Sequence, residues 1–486
     1  MAKVISQKQK DQRYYIHSII GLIIMFGFGL LPSFSTLTPF GMKMLGILLG
    51  LIYLWSFVDM GWPSVVGLIA YLLTGTVTMN DLLMQGFGNT QVMISVFATA
   101  FAFAISRTGV FDWMAIKILN MKLFKGRPWI LTLGFILVVY VLNCLYAGMA
   151  ILFLIWALLP KIGKLCDLPK HHPWYGLVVV GTVFALVMAE CTFPFRPMAL
   201  FMIAMGEGLM PIGDIPFIGF IAFMIITILI ITILYLLIAK YVLRIDLTPL
   251  KEIDMSQMVG NSKTLSGHQK FCFFLLILFI LSMILVGSSA LLPDSGFKTV
   301  LSNLTIVGVA FIFFAFASIY RVDGKPLLNV REVASDIPWD IVLLLSVILT
   351  FCTNVTASET GISEWLGIIT GAILGGHSPL VFMIIMFVAT IVLTNLLNNT
   401  VVIMIMLNIV ASYVGKIDLP FTSILVLMII FSQIAFLLPA SSVWGGFCHS
   451  QAEMCGKINI YKAAIATILA AIVSLVVAIP LGNILF

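Results

Sequence analysis

Apolar runs longer than a soluble core needs dominate the chain. A bilayer core of about 30 Å takes about 20 helical residues. Runs of that order recur near 17–32, 41–59, 63–77, 92–106, 175–206, 214–241, 271–292, 299–320, 339–356, 421–455 and 460–485. Two more, 128–160 and 379–414, carry short polar patches near their middles. Charge is correspondingly scarce, with 26 Lys+Arg and 20 Asp+Glu among 486 residues, or 9%; a soluble protein carries roughly 25%. A soluble fold could neither hide this apolar surface nor cover it with so few charges. The pattern excludes a water-soluble enzyme, a nucleic-acid binder and a disordered chain. It predicts an all-α polytopic membrane protein, because the runs lack the two-residue alternation of a transmembrane barrel.

The basic residues orient the chain. With the N-terminus in the cytoplasm, 22 of the 26 Lys and Arg fall on the cytoplasmic side. Lys43, Lys298 and Lys416 fall outside, and Arg196 stands alone in an apolar segment. This is the positive-inside bias. It places the protein in the cell membrane, with the C-terminus outside after eleven crossings. The first apolar run follows Lys3, Lys8, Lys10 and Arg13 without a small-residue cleavage site, so it reads as a transmembrane helix rather than a signal peptide. The seven cysteines form no CxxC pair and read as small buried hydrophobes. His171-His172 reads as part of a solvated cytoplasmic loop.

The sequence repeats itself. SRTGVFDW at 106–113 and SETGISEW at 358–365 share Ser, Thr, Gly and Trp at one spacing, with Asp exchanged for Glu. The offset of 252 also aligns Asn143 with Asn395, and 128–160 with 379–414. In the predicted topology the helix at 92–106 runs inward and its counterpart at 339–356 runs outward. These are inverted repeats, an architecture of secondary transporters, which bind substrate near the midplane where broken helices of the two halves meet. The predicted organisation is a cytoplasmic N-terminus (1–14), a first repeat (15–242), a cytoplasmic linker (243–268) and a second repeat (269–486).

Four interruptions are therefore the candidate site. The first is Leu145-Tyr146-Ala147-Gly148. The second is Glu190-Cys191-Thr192-Phe193-Pro194-Phe195-Arg196-Pro197. The third is Leu397-Asn398-Asn399-Thr400. The fourth is Pro439-Ala440-Ser441-Ser442-Val443-Trp444-Gly445-Gly446-Phe447. Amide and hydroxyl groups at Asn398, Asn399 and Thr400 can coordinate Na+ or donate to a carboxylate; a polar helix–helix contact is the alternative. An Arg inside the membrane is a functional candidate by default, and its planar fork matches carboxylate or sulfate. Three roles are open to Arg196: substrate contact, an ion pair with Glu190, or an edge position reaching water. Glu190 could instead carry a coupling proton, and Asn143 and Asn395 are further coupling candidates. No HExxH, P-loop or Ser/His/Asp arrangement is present, so no enzyme and no resident cofactor is expected.

Gly86-Phe87-Gly88-Asn89 before a helix ending Arg107-Thr108-Gly109, and Pro338-Trp339-Asp340 before Glu359-Thr360-Gly361, are similar to paired segments of the divalent anion:sodium symporter family, within the ion transporter superfamily. Asn398-Asn399-Thr400 resembles that family's second Ser-Asn-Thr tip with one change. The resemblance implies two re-entrant hairpins at 128–160 and 379–414. It also implies a homodimer and an elevator motion of a transport part (128–242, 377–486) against a scaffold (15–127, 269–376). It further implies a small dianionic substrate, such as a C4-dicarboxylate, citrate or sulfate, with Na+ coupling or exchange. Substrate contacts would come from Tyr146, Ala147, Gly148, Thr192, Arg196, Asn398, Asn399, Thr400, Ser441 and Ser442, and a Na+ site from Asn399, Thr400 and Ser441. The first tip departs from the pattern, since Tyr146-Ala147-Gly148 lacks the Asn and both hydroxyls. A first-half Na+ site is thus weakened or absent, and the fixed Arg196 cation could stand in for its charge. An arsenite or Na+/H+ antiporter of the same superfamily, and a passive anion channel, are the alternative readings.

Overall fold

The computed structural model describes residues 7–146, 148–213, 215–252, 264–322, 324–335, 337, 339–355, 357–397, 399–439 and 441–486. The chain is an all-α polytopic bundle. Apart from its helices it has a two-residue antiparallel ribbon that pairs Arg321–Val322 with Lys325–Pro326.

Among the described residues, seven helices are long and apolar enough to cross a bilayer alone. They are Asp11–Leu30, Pro39–Phe57, Pro173–Thr192, Phe217–Val242, Gly267–Gly287, Gly296–Ile319 and Lys457–Leu485. Met79–Phe87 and Thr90–Ser106, bent by 46° at their junction, form an eighth span if taken together. The helices at the expected crossings 63–77, 339–356 and 421–455 are shorter than those runs. They are Gly61–Leu72, Trp339–Val355 and Phe421–Phe431. At 1.5 Å per residue the first and last of these span about 16–18 Å and need a neighbouring segment to complete a crossing, whereas Trp339–Val355, about 26 Å long, is at the short end of a spanning helix.

Local chemistry sets the helix ends. Thr38 accepts from the Gly41 N–H with Pro39 in the first turn, and Ser378 caps a helix that opens on Pro379. Thr78 with Asp81, and Ser266 with Gln269, form capping boxes. Positions 252 residues apart take the same local form. Gly109 (φ +75°) and Gly361 (φ +69°) each turn the chain in the left-handed region immediately before a helix. Asn143 and Asn395 each donate through Nδ2 to the carbonyl four residues back.

Pro173–Thr192 is the core element. Nearly all of it is buried, and it packs against Pro128–Cys144, Lys457–Leu485, Phe217–Leu237 and Pro197–Leu209. Elsewhere Thr90–Ser106 packs on Gly296–Ile319, and Pro197–Leu209 packs most extensively on Trp339–Val355, so the two halves interlock. At one junction backbone meets backbone. The Cα of Gly41 lies against the Thr360 carbonyl and that of Gly361 against the Thr36 carbonyl, leaving no room for a Cβ at either. The outer faces carry exposed Leu30, Ile319, Val476 and Ile484, as lipid-facing surfaces do.

Candidate functional site

The first tip joins Pro128–Cys144 to Met149–Leu165 through residues 145–148. Tyr146 stands at φ +70°, a conformation that costs a residue with a Cβ about 1–2 kcal/mol. Gly148 takes φ +72° without that cost. Ala147 lies outside the described residues. The second interruption, the helix break of the first half, is narrower than expected, because the helix continues through Thr192 and resumes at Pro197, leaving only 193–196 unwound. Pro194 and Pro197 supply no N–H there, and Pro197 has the φ of a helix start.

Arg196 and Tyr146 meet. Arg196 is 6% exposed, and its guanidinium carbon lies 3.7 Å from the centre of the Tyr146 ring, a cation–π contact. The guanidinium Nε and Nη1 are buried without a hydrogen-bond partner. The Tyr146 hydroxyl and the Thr99 hydroxyl are also buried and unpartnered. All three residues line one cavity of about 150 Å³ with Phe103, Glu190, Pro197, Met198 and Ile341. The expected alternative of an Arg196–Glu190 ion pair is not formed among the described residues; the two groups share the cavity without closing on each other. A buried donor is costly when unmade, and a buried charge more so. This cavity is therefore suited to an anion that takes up Arg196. Thr192 does not face it as a free group, because its hydroxyl donates to the Met188 carbonyl and meets the Tyr140 hydroxyl at 2.9 Å.

The second half is built differently. Pro379–Thr394 ends before the tip and Asn399–Ala411 begins at it, so Asn399 and Thr400 lie in a helical first turn. Asn398 lies outside the described residues. The fourth interruption is displaced from its expected place. Helix Phe421–Phe431 ends well before Pro439, residues 432–439 and 441–442 are unwound, and Val443–Ser450 is already helical. The side chains of the facing helix end explain this. Asn395 donates to the Ile434 carbonyl at 2.6 Å and accepts from the Leu437 N–H at 2.9 Å, while Thr394 donates to the Ser432 carbonyl. These bonds satisfy backbone groups that a continuous helix would have paired internally. Asn399 donates to Gln433 at 2.7 Å and its Oδ1 accepts from the Thr400 N–H. Ser441 donates to the Ala435 and Leu438 carbonyls, and Ser442 to Ala435. Ala440 lies outside the described residues.

The structure thus joins the first tip to the first break and the second tip to the second break. Ser432, whose hydroxyl is 4.0 Å from Met202 Sδ, links the two pairs. Sequence reasoning missed Thr99 and Gln433. Gln433 had a signal, since Ser432-Gln433 is a polar pair inside an apolar run, whereas Thr99 reads as any helix threonine. Among the described residues, no group of three His, Cys, Asp or Glu side chains could hold a metal ion. The structure also corrects His172, expected in a solvated loop. It is half-buried, its Nδ1 accepts from the Trp174 N–H, and burial pulls its pKa below the ordinary value against the opposing pull of Asp246.

No curated protein matches the sequence. In fold the chain is similar to the crystal structure of the Alcanivorax borkumensis YdaH transporter, at 12% identity, with 97% of each chain covered and a TM-score of 0.51. The model of a transport family, CitMHS, described as citrate transporter, matches residues 51–432. With that match over most of its length, the chain belongs to the citrate transporter family.

Proposed function

We propose that the protein is a secondary active transporter of small di- or tricarboxylates, with citrate and C4-dicarboxylates as the leading substrates and sulfate as the inorganic alternative. The observation that carries this reading is Arg196, a buried cation with unpartnered donors facing a cavity beside the unpartnered hydroxyls of Tyr146 and Thr99. A carboxylate satisfies the guanidinium in a bidentate fork. Family membership supports the same substrate class. Arsenite antiport fits less well, because the neutral acid needs no buried cation, and Na+/H+ antiport calls for more buried acids than Glu190.

In this reading the protein lies in the cell membrane as a homodimer, with its N-terminus in the cytoplasm. Two inverted repeats each contribute a hairpin and a broken helix to a part that slides against the scaffold. Thr99, Phe103 and Ile341 come from the scaffold, and Tyr146, Glu190, Arg196, Pro197 and Met198 from the moving part, so the cavity lies on the sliding boundary. Coupling is to Na+, to H+ or to counter-anion exchange. A Na+ site at Asn399, Thr400 and Ser441 has oxygen donors of the right type, though Asn399 and Ser441 already serve the backbone.

Purified protein in vesicles, given labelled citrate, succinate and sulfate under separately imposed Na+, H+ and counter-anion gradients, tests the proposal. Accumulation of one of these anions against its own gradient is expected. Equilibration without accumulation would reveal a channel, and no uptake of any of them would refute the reading.

A further inference from the structure

Arg196 poses a problem for a transporter between loads. With a substrate anion bound, the cation is neutralised. Once the anion leaves, a buried guanidinium with Nε and Nη1 unpartnered must re-cross an apolar environment, and an uncompensated buried charge opposes that step. A carrier with such a residue would be confined to exchange, moving only when loaded, unless the protein supplies its own counter-charge.

The cavity wall contains one candidate. Glu190 is the single acid among the lining residues, and Arg196 is the single base. The rest of the wall is Thr99, Phe103, Tyr146, Pro197, Met198 and Ile341, all uncharged. Glu190 is partly exposed, while its neighbours Ala189 and Cys191 are fully buried, so the last turn of its helix exposes only the carboxylate-bearing residue. Between Glu190 and Arg196 the helix stops, and Phe193 and Arg196 take extended backbone angles. The two side chains thus sit on separate helix ends joined by an unwound linker, facing one space without an ion pair across it.

We infer that Glu190 is the internal counter-anion of Arg196, closing on the guanidinium when the cavity is empty and yielding it to a substrate carboxylate when loaded. This rests on the reading of Arg196 as the ligand of the substrate anion. Pairing restores a neutral site for the empty return, so Glu190 permits net transport in addition to exchange. The charge it supplies is specific, because no other described lining residue can replace it.

Vesicle transport separates the two modes. Net efflux of labelled citrate or succinate into substrate-free buffer needs the empty return, whereas exchange against external unlabelled substrate does not. Glu190→Gln is expected to lower net efflux by about tenfold or more relative to exchange, with exchange persisting, and Glu190→Asp to keep that ratio within about threefold of wild type. An unchanged ratio in Glu190→Gln, or a parallel loss of both fluxes, overturns the inference. If Glu190→Gln is not recovered as a monodisperse protein, Glu190→Asp decides alone, and a collapsed ratio overturns it. The underlying substrate reading fails differently: wild type then carries none of these anions, or Arg196→Ala retains exchange.

Discussion

Replacing Arg196 with Met in a Glu190→Gln background, so that no buried counter-charge is stranded, should stabilise the empty protein while abolishing transport. Nε and Nη1 are buried and unpartnered, and each unmet buried donor costs about 1–3 kcal/mol. The contact with Tyr146 at 3.7 Å returns about 0.5–2 kcal/mol. Met fills similar space, has no donors and adapts to irregular walls. The difference leaves the variant more stable by about 1–4 kcal/mol, which raises the melting temperature by a few degrees. The loss of function follows from the same residue. A bidentate charge-assisted pair is worth about 3–6 kcal/mol at 1.5–3 kcal/mol per bond, or roughly 100-fold to 10,000-fold in transport efficiency. Thermal unfolding can be followed with a thiol-reactive dye, because Cys144, Cys191, Cys448 and Cys455 are buried until the fold opens. Substrate at 100 times its Kd should add about 2.7 kcal/mol to the wild type and nothing to the variant. A variant that melts earlier than wild type and still transports would refute the reasoning, because Arg196 would then be a structural residue.

Tyr146→Phe removes an unpartnered buried hydroxyl and keeps the ring under Arg196. Stability should hold or rise, while citrate affinity falls about tenfold, as expected for one lost hydrogen bond, a split readable from melting curves and uptake KM. Gly41→Ala would drive a Cβ into the Thr360 carbonyl, where backbone cannot yield, and should cost about 2–3 kcal/mol, measurable by the same dye assay. His172 is held below its ordinary pKa by burial. The unfolded chain therefore binds its proton first as pH falls below about 6.5, and stability declines there. His172→Asn keeps a cap acceptor and should flatten the fall in melting temperature between about pH 6.5 and 5.

The first-half site was legible because its cues are local. Two prolines bracket Phe195-Arg196, and a lone Arg in an apolar run has no solvated alternative. Tyr146 marked the tip, but its stacking on Arg196 is a tertiary fact. The second break was misplaced for the opposite reason. Pro439 and the serines after it carry the strongest local signal, yet the helix stops at Phe431 because Thr394 and Asn395 of another helix end bond to the chain at 432–437. No pattern within 421–442 encodes those partners. The helix at 61–72 is shorter than the apolar run that predicts it because hydropathy reports apolarity, not where a cap or a buried neighbour ends the helix.

The dependence of Pro197–Leu209 on Trp339–Val355 sets a schedule for biogenesis. Translation at about 5–20 residues per second needs roughly 7–30 s to go from residue 209 to residue 355. For that interval the helix that begins beside Arg196 lacks its principal neighbour. The nascent chain must hold the segment carrying Glu190 and Arg196 without that packing partner while it waits, which is a long exposure to insertion factors and quality-control proteases. A slow stretch of codons in the linker would lengthen the wait, and a faster second half would raise the yield of folded protein.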